Sequence, residues 1–433
     1  MDETKQVGRY RWTVVGLLFF ATTINYIDRQ VLGLLAPILE KEIGWNELEY
    51  SYIVTAFQIA YAIGLIGAGR LIDRYGTKIG YTVSIVVWSV AAMGHSLAKN
   101  ALGFGAARFS LGLGESGNFP AAIKATAEWF PKKERAFATG IFNSGANIGA
   151  VFAPLLVPWL TLSFGWQSAF IVTGAIGFIW LILWGIVYER PEKHKSVTKA
   201  ELEYILSDPE EKDKGDKIPW TELLKYKQTW AFVLAKFMTD PIWWFYLYWL
   251  PKFLNKQYGL DLAHLGLPLI VIYTMTSIGS IGGGWLSSYF IKKGWEINKA
   301  RKVVMLICAS AVVPVVFASV AADLWLAVGI IGLAAAAHQG WSANLFTTSS
   351  DMFPKKAVGS VVGLGGMAGS VGGMLFAPMA GLILEFTHSY LPLFIISGTA
   401  YLISLVIFTG LVPKIKAIGE MMVAGKEVVE ENV

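Results

Sequence analysis

The stretch TTINYIDRQVLGLLAP, residues 22–37, sets an acid beside a base inside a segment that is otherwise almost wholly apolar. The run begins near Trp12 and passes through VVGLLFFATT before it reaches Asp28 and Arg29. A charge at the centre of a lipid-spanning helix costs about 2.5–3.5 kcal/mol on insertion scales. Asp28 lies about 16 residues into its segment, or roughly 24 Å at the helical rise, too deep for a helix-end charge that reaches the interface. Helix neighbours point about 100° apart, so Asp28 and Arg29 cannot simply neutralise each other. One can face a partner helix while the other faces a cavity.

The rest of the chain has the same apolar character. Its 433 residues are 55% hydrophobic and 15% charged, against roughly 25% charged in a soluble domain. Apolar blocks of about 20 residues recur along nearly all of it, each long enough for a ~30 Å hydrocarbon core. Twelve blocks start near residues 12, 48, 78, 101, 135, 167, 229, 265, 301, 324, 357 and 391. In lipid each must satisfy its own backbone, so they are helices. The expected fold is an all-α membrane protein with twelve transmembrane helices. The first block is too long for a cleavable signal and no small-residue cleavage site closes it. Lys and Arg gather in every second connection, in GRLIDRYGTK (69–78), PKKER (131–135), IKKGWEINKARK (291–302) and PKK (354–356). That bias places both termini and the long central loop in the cytoplasm. The net charge of +5 reflects these flanks rather than a nucleic-acid footprint. Cys308 stands alone and the five His are scattered, so no disulfide framework or metal-ligand spacing is visible.

The chain also repeats itself. WFPKKERAFATG from Trp129 has a partner in MFPKKAVGSVVG from Met352, and GANIGAVFAP (145–154) matches GSVGGMLFAP (369–378) at five of ten positions. GRLIDRYG has a degenerate echo in GWLSSYF (284–290). Two six-helix halves in one orientation follow: residues 1–189, a cytoplasmic linker over 190–228, and 229–433. Such halves imply a substrate site at mid-depth between them and alternating access by rocking. The linker reads as short surface helices, one capped by Ser196 or Thr198. The 45 glycines concentrate in helices 4, 5, 8 and 11, where small residues let helices approach closely.

Arg108 and Glu115, in RFSLGLGESGNFP (108–120), lie seven residues apart on one face of the fourth helix, with Asn118 following on the same stripe. Together with Asp28 and Arg29 they make four buried charges with a nominal cost of roughly 10–14 kcal/mol, as large as the stability of a whole domain. An ion-pair network that merely locks helices 1 and 4 is one reading. The stronger one is coupling: an arginine that moves from an acid onto an incoming anion frees the acid to take a proton. Tyr61 and Gln58 in helix 2, Asn143 and Asn147 in helix 5, Trp244 in TDPIWWFYLYW, and His338, Gln339, Ser342 and Asn344 in AAHQGWSANLFTTSS add amide, hydroxyl and aromatic groups. These suit a polyhydroxylated molecule, and Arg29 suits a carboxylate. Tyr248 and Trp249 read as interfacial belt residues. Trp243, Trp244 and Trp341 stand between belt and site, and His338 between a packed residue and a proton carrier.

GRLIDRYG resembles the loop signature of the major facilitator superfamily at Gly69, Leu71, Asp73, Arg74 and Gly76, departing at Thr77 where a base is usual. RFSLGLGE resembles the superfamily's fourth-helix motif. YIDR, GESGNFPAAIKATAEWFPKKERAFATGIFNSG and AHQGWSANLFTTSSDMFP together resemble the anion:cation symporter family, in particular its bacterial hexuronate and sugar-acid transporters. The resemblance implies proton-driven import of galacturonate, glucuronate or a related aldonate through the bacterial inner membrane, by a monomer in lipid that needs no cofactor beyond the coupling proton. It implies that Asp28 and Glu115 are protonation sites and Arg108 an ion-pair partner. Arg29 and Tyr61, with Tyr26 of YIDR, would contact the substrate. Asp73 and Arg74, between Gly69 and Gly76, would latch the cytoplasmic side. Another organic anion, such as an aromatic acid or dicarboxylate, is the competing substrate class. An embedded enzyme would need a nucleophile with its base or a metal cluster, and a receptor an added domain; the sequence displays neither.

Overall fold

The computed structural model describes residues 8–207, 220–353, 355–416 and 418. Among them there are helices and connections, and no strand. The first helices are α1 (Tyr10–Ile43), α2 (Glu47–Tyr75), α3 (Thr77–Gly94), α4 (Ala101–Glu115), α5 (Asn118–Trp129), α6 (Lys132–Phe164) and α7 (Trp166–Val187). Two short helices, α8 (Lys199–Ile205) and α9 (Trp220–Leu223), occupy the polar linker. After it come α10 (Lys227–Tyr258), α11 (Leu262–Lys292), α12 (Ile297–Val312), α13 (Leu324–Met352), α14 (Lys355–Thr387) and α15 (Leu391–Leu411). Each of the twelve apolar blocks falls on a helix. Nine helices among the described residues are long and apolar enough to cross a membrane. The long helical stretches outside those nine are α1, α4 with α5, and α10, which carry Asp28, Arg29, Arg108, Glu115, Lys236 and Lys252 among the buried charges.

Local chemistry explains the boundaries. Asn46 caps α2 by accepting from the Glu49 N–H at 2.8 Å while the Glu49 side chain accepts from the Asn46 N–H, a reciprocal capping box. Asn100 caps α4 and Asp323 caps α13 in the same way from one side. The α2–α3 turn is a single residue, Gly76, at φ 85°, a conformation that a Cβ penalises. The glycine of the loop motif therefore has a backbone reason.

The fourth span departs from the sequence reading. It breaks at Ser116 and Gly117, so Asn118 opens a new helix instead of continuing the Glu115 stripe. Its amide accepts from the Tyr81 hydroxyl at 2.6 Å and donates toward Thr22 at 3.4 Å.

The chain folds into two compact units, Met1–Lys214 with Tyr248–Ile270, and Gly215–Leu247 with Val271–Val433. In the first, α6 packs on α1 and α4 on α2. A Cβ at Gly149 would come within 2.6 Å of the Thr23 carbonyl, and one at Gly112 within 2.5 Å of the Phe57 carbonyl. Those glycines bring the helix backbones together beside Tyr26 and Phe57. The opposite faces are apolar and exposed, as at Ile179, Ile182 and Ile186 along α7, an arrangement suited to lipid and not to water. Tyr248 and Trp249 do not belong to an interfacial belt. Both are fully buried in the first unit, where Tyr50 donates to the Tyr248 carbonyl at 2.7 Å and packs edge-on against Trp249.

Candidate functional site

The charged stretch of α1 is resolved by its two neighbours. Arg29 turns toward α4 and donates from Nε at 2.9 Å and Nη2 at 2.7 Å to one oxygen, Oε2, of Glu115. Nη2 also approaches Asn25 Oδ1 at 3.4 Å, one turn back on α1. Three rings surround the guanidinium, with the centroids of Tyr26, Phe57 and Tyr61 at 4.9, 5.1 and 5.0 Å. Arg29 is 3% exposed and Glu115 is inaccessible, so the pair is held away from water. Aromatic faces and a charge-assisted pair offset part of what burying a guanidinium costs.

Asp28 turns the other way, against Thr173 of α7, and is 2% exposed. Neither of its oxygens accepts a hydrogen bond of good geometry among the described residues, and the same holds for Glu115 Oε1. Arg108 is fully buried and donates from Nη1 to the Arg29 carbonyl at 3.3 Å, while its Nε and Nη2 find no hydrogen-bond partner among the described residues. It thus stands between the two acids without closing an ion pair on either. The site holds two acids and two bases, of which one of each is joined.

The remaining sequence candidates are more dispersed. Tyr26 and Tyr61 are half-buried beside Arg29. Asn143 is exposed on α6 and Asn147 half-buried one turn later. In the second unit the His338 ring stacks on Trp243 at 5.4 Å, and its Nδ1 is 2.6 Å from the Tyr401 hydroxyl, which makes it a packed, hydrogen-bonded residue. Asn344 spends its amide N–H groups on the Gly283 and Gly340 carbonyls, both at 2.9 Å, and so ties α13 to α11. Trp244, Gln339 and Ser342 are half-buried. Of the loop motif, Gly69 is half-buried, Arg74 is exposed with its guanidinium over Tyr75, and Gly76 makes the turn. The Asp73 side chain lies outside the described residues.

A family model, Major Facilitator Superfamily, matches residues 18–377. The chain belongs to the major facilitator superfamily. Among curated relatives of this superfamily member, the hexuronate transporter of Escherichia coli K12 is 33% identical over 410 residues, covering 94% of this chain and 95% of that one. The galacturonate transporter of Dickeya chrysanthemi is 33% identical over 304 residues, 69% of this chain and 88% of its own. The crystal structure of a D-xylose-proton symporter aligns with a TM-score of 0.74 at 15% identity over 94% of this chain and 99% of that one, a likeness of fold. The protein is therefore a member of a family of multi-span membrane transporters, not an enzyme.

Several charge clusters of this transporter escaped the sequence reading, among them two on α10 and the Arg11–Glu134–Glu201 and Arg301–Asp351 groups. In the second unit, Lys236 Nζ lies 2.7 Å from Asp240 Oδ2, both on α10. In the first, Lys252 sits between Glu40 at 2.8 Å and Glu47 at 2.9 Å, with its ammonium over the Tyr50 ring. The insertion-cost argument that singled out Asp28 finds Lys236 and Asp240 as well, since they stand roughly 7 and 11 residues into their segment.

Proposed function

We propose that the protein is a proton-coupled symporter that imports a hexuronate, galacturonate or glucuronate, across the bacterial inner membrane by alternating access, with both termini in the cytoplasm. The observation that carries this reading is the buried Arg29–Glu115 pair beside the separately housed Asp28. The relation to hexuronate and galacturonate transporters supports the substrate class. A guanidinium cannot serve two carboxylates equally well in the same geometry. When the substrate carboxylate takes the Nε and Nη2 donors, Glu115 loses its counter-charge and becomes neutral by binding a proton. Departure of the anion returns Arg29 to Glu115 and expels that proton. Asp28, near Arg108 and against Thr173, is the second proton site, and Arg108 keeps both acids within one positive field. Tyr26, Tyr61, Asn143 and Asn147 supply hydroxyl, amide and aromatic contacts of the kind that a sugar acid needs.

The test is uptake of labelled galacturonate and glucuronate into proteoliposomes under an inward proton gradient, with and without a protonophore. Accumulation that collapses with the protonophore is expected. Absence of uptake of either acid by folded protein refutes the substrate assignment, and protonophore-insensitive accumulation refutes the coupling.

A further inference from the structure

Between α2 and α4 the first unit carries a groove of about 470 Å³ on an apolar, exposed face, where Tyr52 is 54% and Phe109 37% exposed. Small residues line it, Ala56 from α2 and Gly105 and Ala106 from α4. The two helices pack on each other and start with the caps Asn46 and Asn100. The groove runs from those starts as far as Phe109, eight residues beyond Ala101. At the helical rise that is roughly 12 Å, less than half of a ~30 Å hydrocarbon core.

Gly105 has no packing reason to be glycine. At Gly112, two turns on, a Cβ would come within 2.5 Å of the Phe57 carbonyl, whereas at Gly105 it would meet no atom within 4 Å. Glycine inside a helix costs about 0.5–1 kcal/mol against alanine. Here it brings no helices closer, and what it leaves open is the groove. Charge gathers at one end. Glu49, in the first turn of α2, lines the groove there. Its Oε2 accepts from the Asn46 N–H at 3.0 Å, and its Oε1 makes no hydrogen bond among the described residues. Lys99, exposed two residues before Ala101, adds a base at the same end. An acid and a base above an apolar channel match a zwitterionic phospholipid. A carboxylate accepts hydrogen bonds from a primary ammonium, which a quaternary one cannot donate, and it repels a headgroup that is negative overall.

We propose that this groove binds an ethanolamine phospholipid from the leaflet that holds the α1–α2 turn. An acyl chain lies along Ala56, Gly105 and Ala106, the ammonium meets Glu49, and the phosphate turns toward Lys99. The assignment is independent of the substrate and of proton coupling. It bears on transport all the same, because the lipid rests on α2, the helix that sets Phe57 and Tyr61 over the Arg29 guanidinium.

The test extracts the full-length protein in mild detergent from an equimolar mixture of ethanolamine, choline and glycerol phospholipids with the same acyl chains. Native mass spectrometry counts the bound lipids, and a melting curve follows folding. The wild type is expected to retain the ethanolamine lipid over the other two by roughly threefold, the size of an exposed charge contact. Gly105→Leu, whose new side chain has open space to fill, should lose one bound lipid per chain. If it misfolds, Ala106→Leu fills the same groove from an exposed position. Glu49→Gln keeps an acceptor for the Asn46 N–H and with it the helix cap, so it should keep the lipid count and lose the headgroup preference. Equal retention of the three headgroups by the wild type, or a preference that survives Glu49→Gln, overturns the headgroup assignment. An unchanged lipid count in the groove-filling variants overturns the site. Wild-type dimers that those variants abolish would make the occupant a second copy of this chain and refute the lipid.

Discussion

Replacing Glu115 by glutamine separates the two jobs of the Arg29–Glu115 pair. The side chain keeps its length and one carbonyl acceptor for the Arg29 Nε and Nη2 donors, which now reach a single oxygen at 2.9 and 2.7 Å. Its charge disappears. Removing one member of a buried ion pair costs about 3–5 kcal/mol when the survivor is left bare. Here the surviving guanidinium still has a neutral acceptor, worth about 1 kcal/mol. It also keeps the faces of Tyr26, Phe57 and Tyr61, each worth about 0.5–1 kcal/mol. The net loss is therefore at most about 2.5 kcal/mol, and Glu115→Gln should fold. Its transport should split. Close charge pairs couple by at least about 1.5 kcal/mol, and freeing Arg29 from that competitor raises anion affinity roughly tenfold. The variant holds no proton to exchange at this position, so accumulation driven by a proton gradient should vanish while counterflow between equal pools persists. Proteoliposomes loaded with cold galacturonate measure the second, and empty ones under an inward gradient measure the first. Gradient-driven accumulation at the wild-type level would refute the role of Glu115, and loss of counterflow in folded protein would refute its separation from binding.

Arg29→Ala removes both donors and should lower uronate affinity by at least 100-fold, as read by direct binding; retained affinity would take Arg29 out of the carboxylate site. Asp28→Asn should behave as Glu115→Gln does in accumulation without tightening the substrate, because Asp28 shares no hydrogen bond with Arg29, and a parallel gain in affinity would argue against two distinct proton sites. Asp73→Asn should slow net transport several-fold with affinity unchanged, and a variant that loses binding instead contradicts a gating role for the loop. Lys252→Ala leaves Glu40 and the largely buried Glu47 without their shared counter-ion, and should lower stability by about 1–3 kcal/mol, seen as a lower melting temperature that Glu47→Gln partly restores.

Much of this was legible in the chain because lipid makes rules strict. The apolar blocks could be nothing but helices, and the Asp28–Arg29 doublet, divergent by 100°, had to serve two different neighbours; α4 and α7 are those neighbours. The seven-residue spacing of Arg108 and Glu115 put both on the face that meets Arg29, one at its backbone carbonyl and the other at its guanidinium. What failed was local and had a cause. The stripe to Asn118 assumed an unbroken helix, whereas ESGN turns at Ser116 and Gly117 and re-aims the amide at Tyr81. The belt reading of Tyr248 and Trp249 rested on residue type, and type does not distinguish a ring that meets headgroups from one that packs on Tyr50. Asn344 gives both of its donors to the backbone carbonyls of Gly283 and Gly340, a use of the amide that nothing in the sequence reveals.

The helices least fit for lipid are the ones with the most to say about transport. Among the described residues nine helices are long and apolar enough to span, and the helical stretches that fall short are α1, α4 with α5, and α10. The first two hold Asp28, Arg29, Arg108 and Glu115, and the third holds Lys236, Asp240 and Lys252. A membrane helix gives up hydrophobic stability with each such residue, and a stable fold keeps that loss small unless the charges act on something that crosses the bilayer. By that argument α10 belongs with α1 and α4 as a working helix.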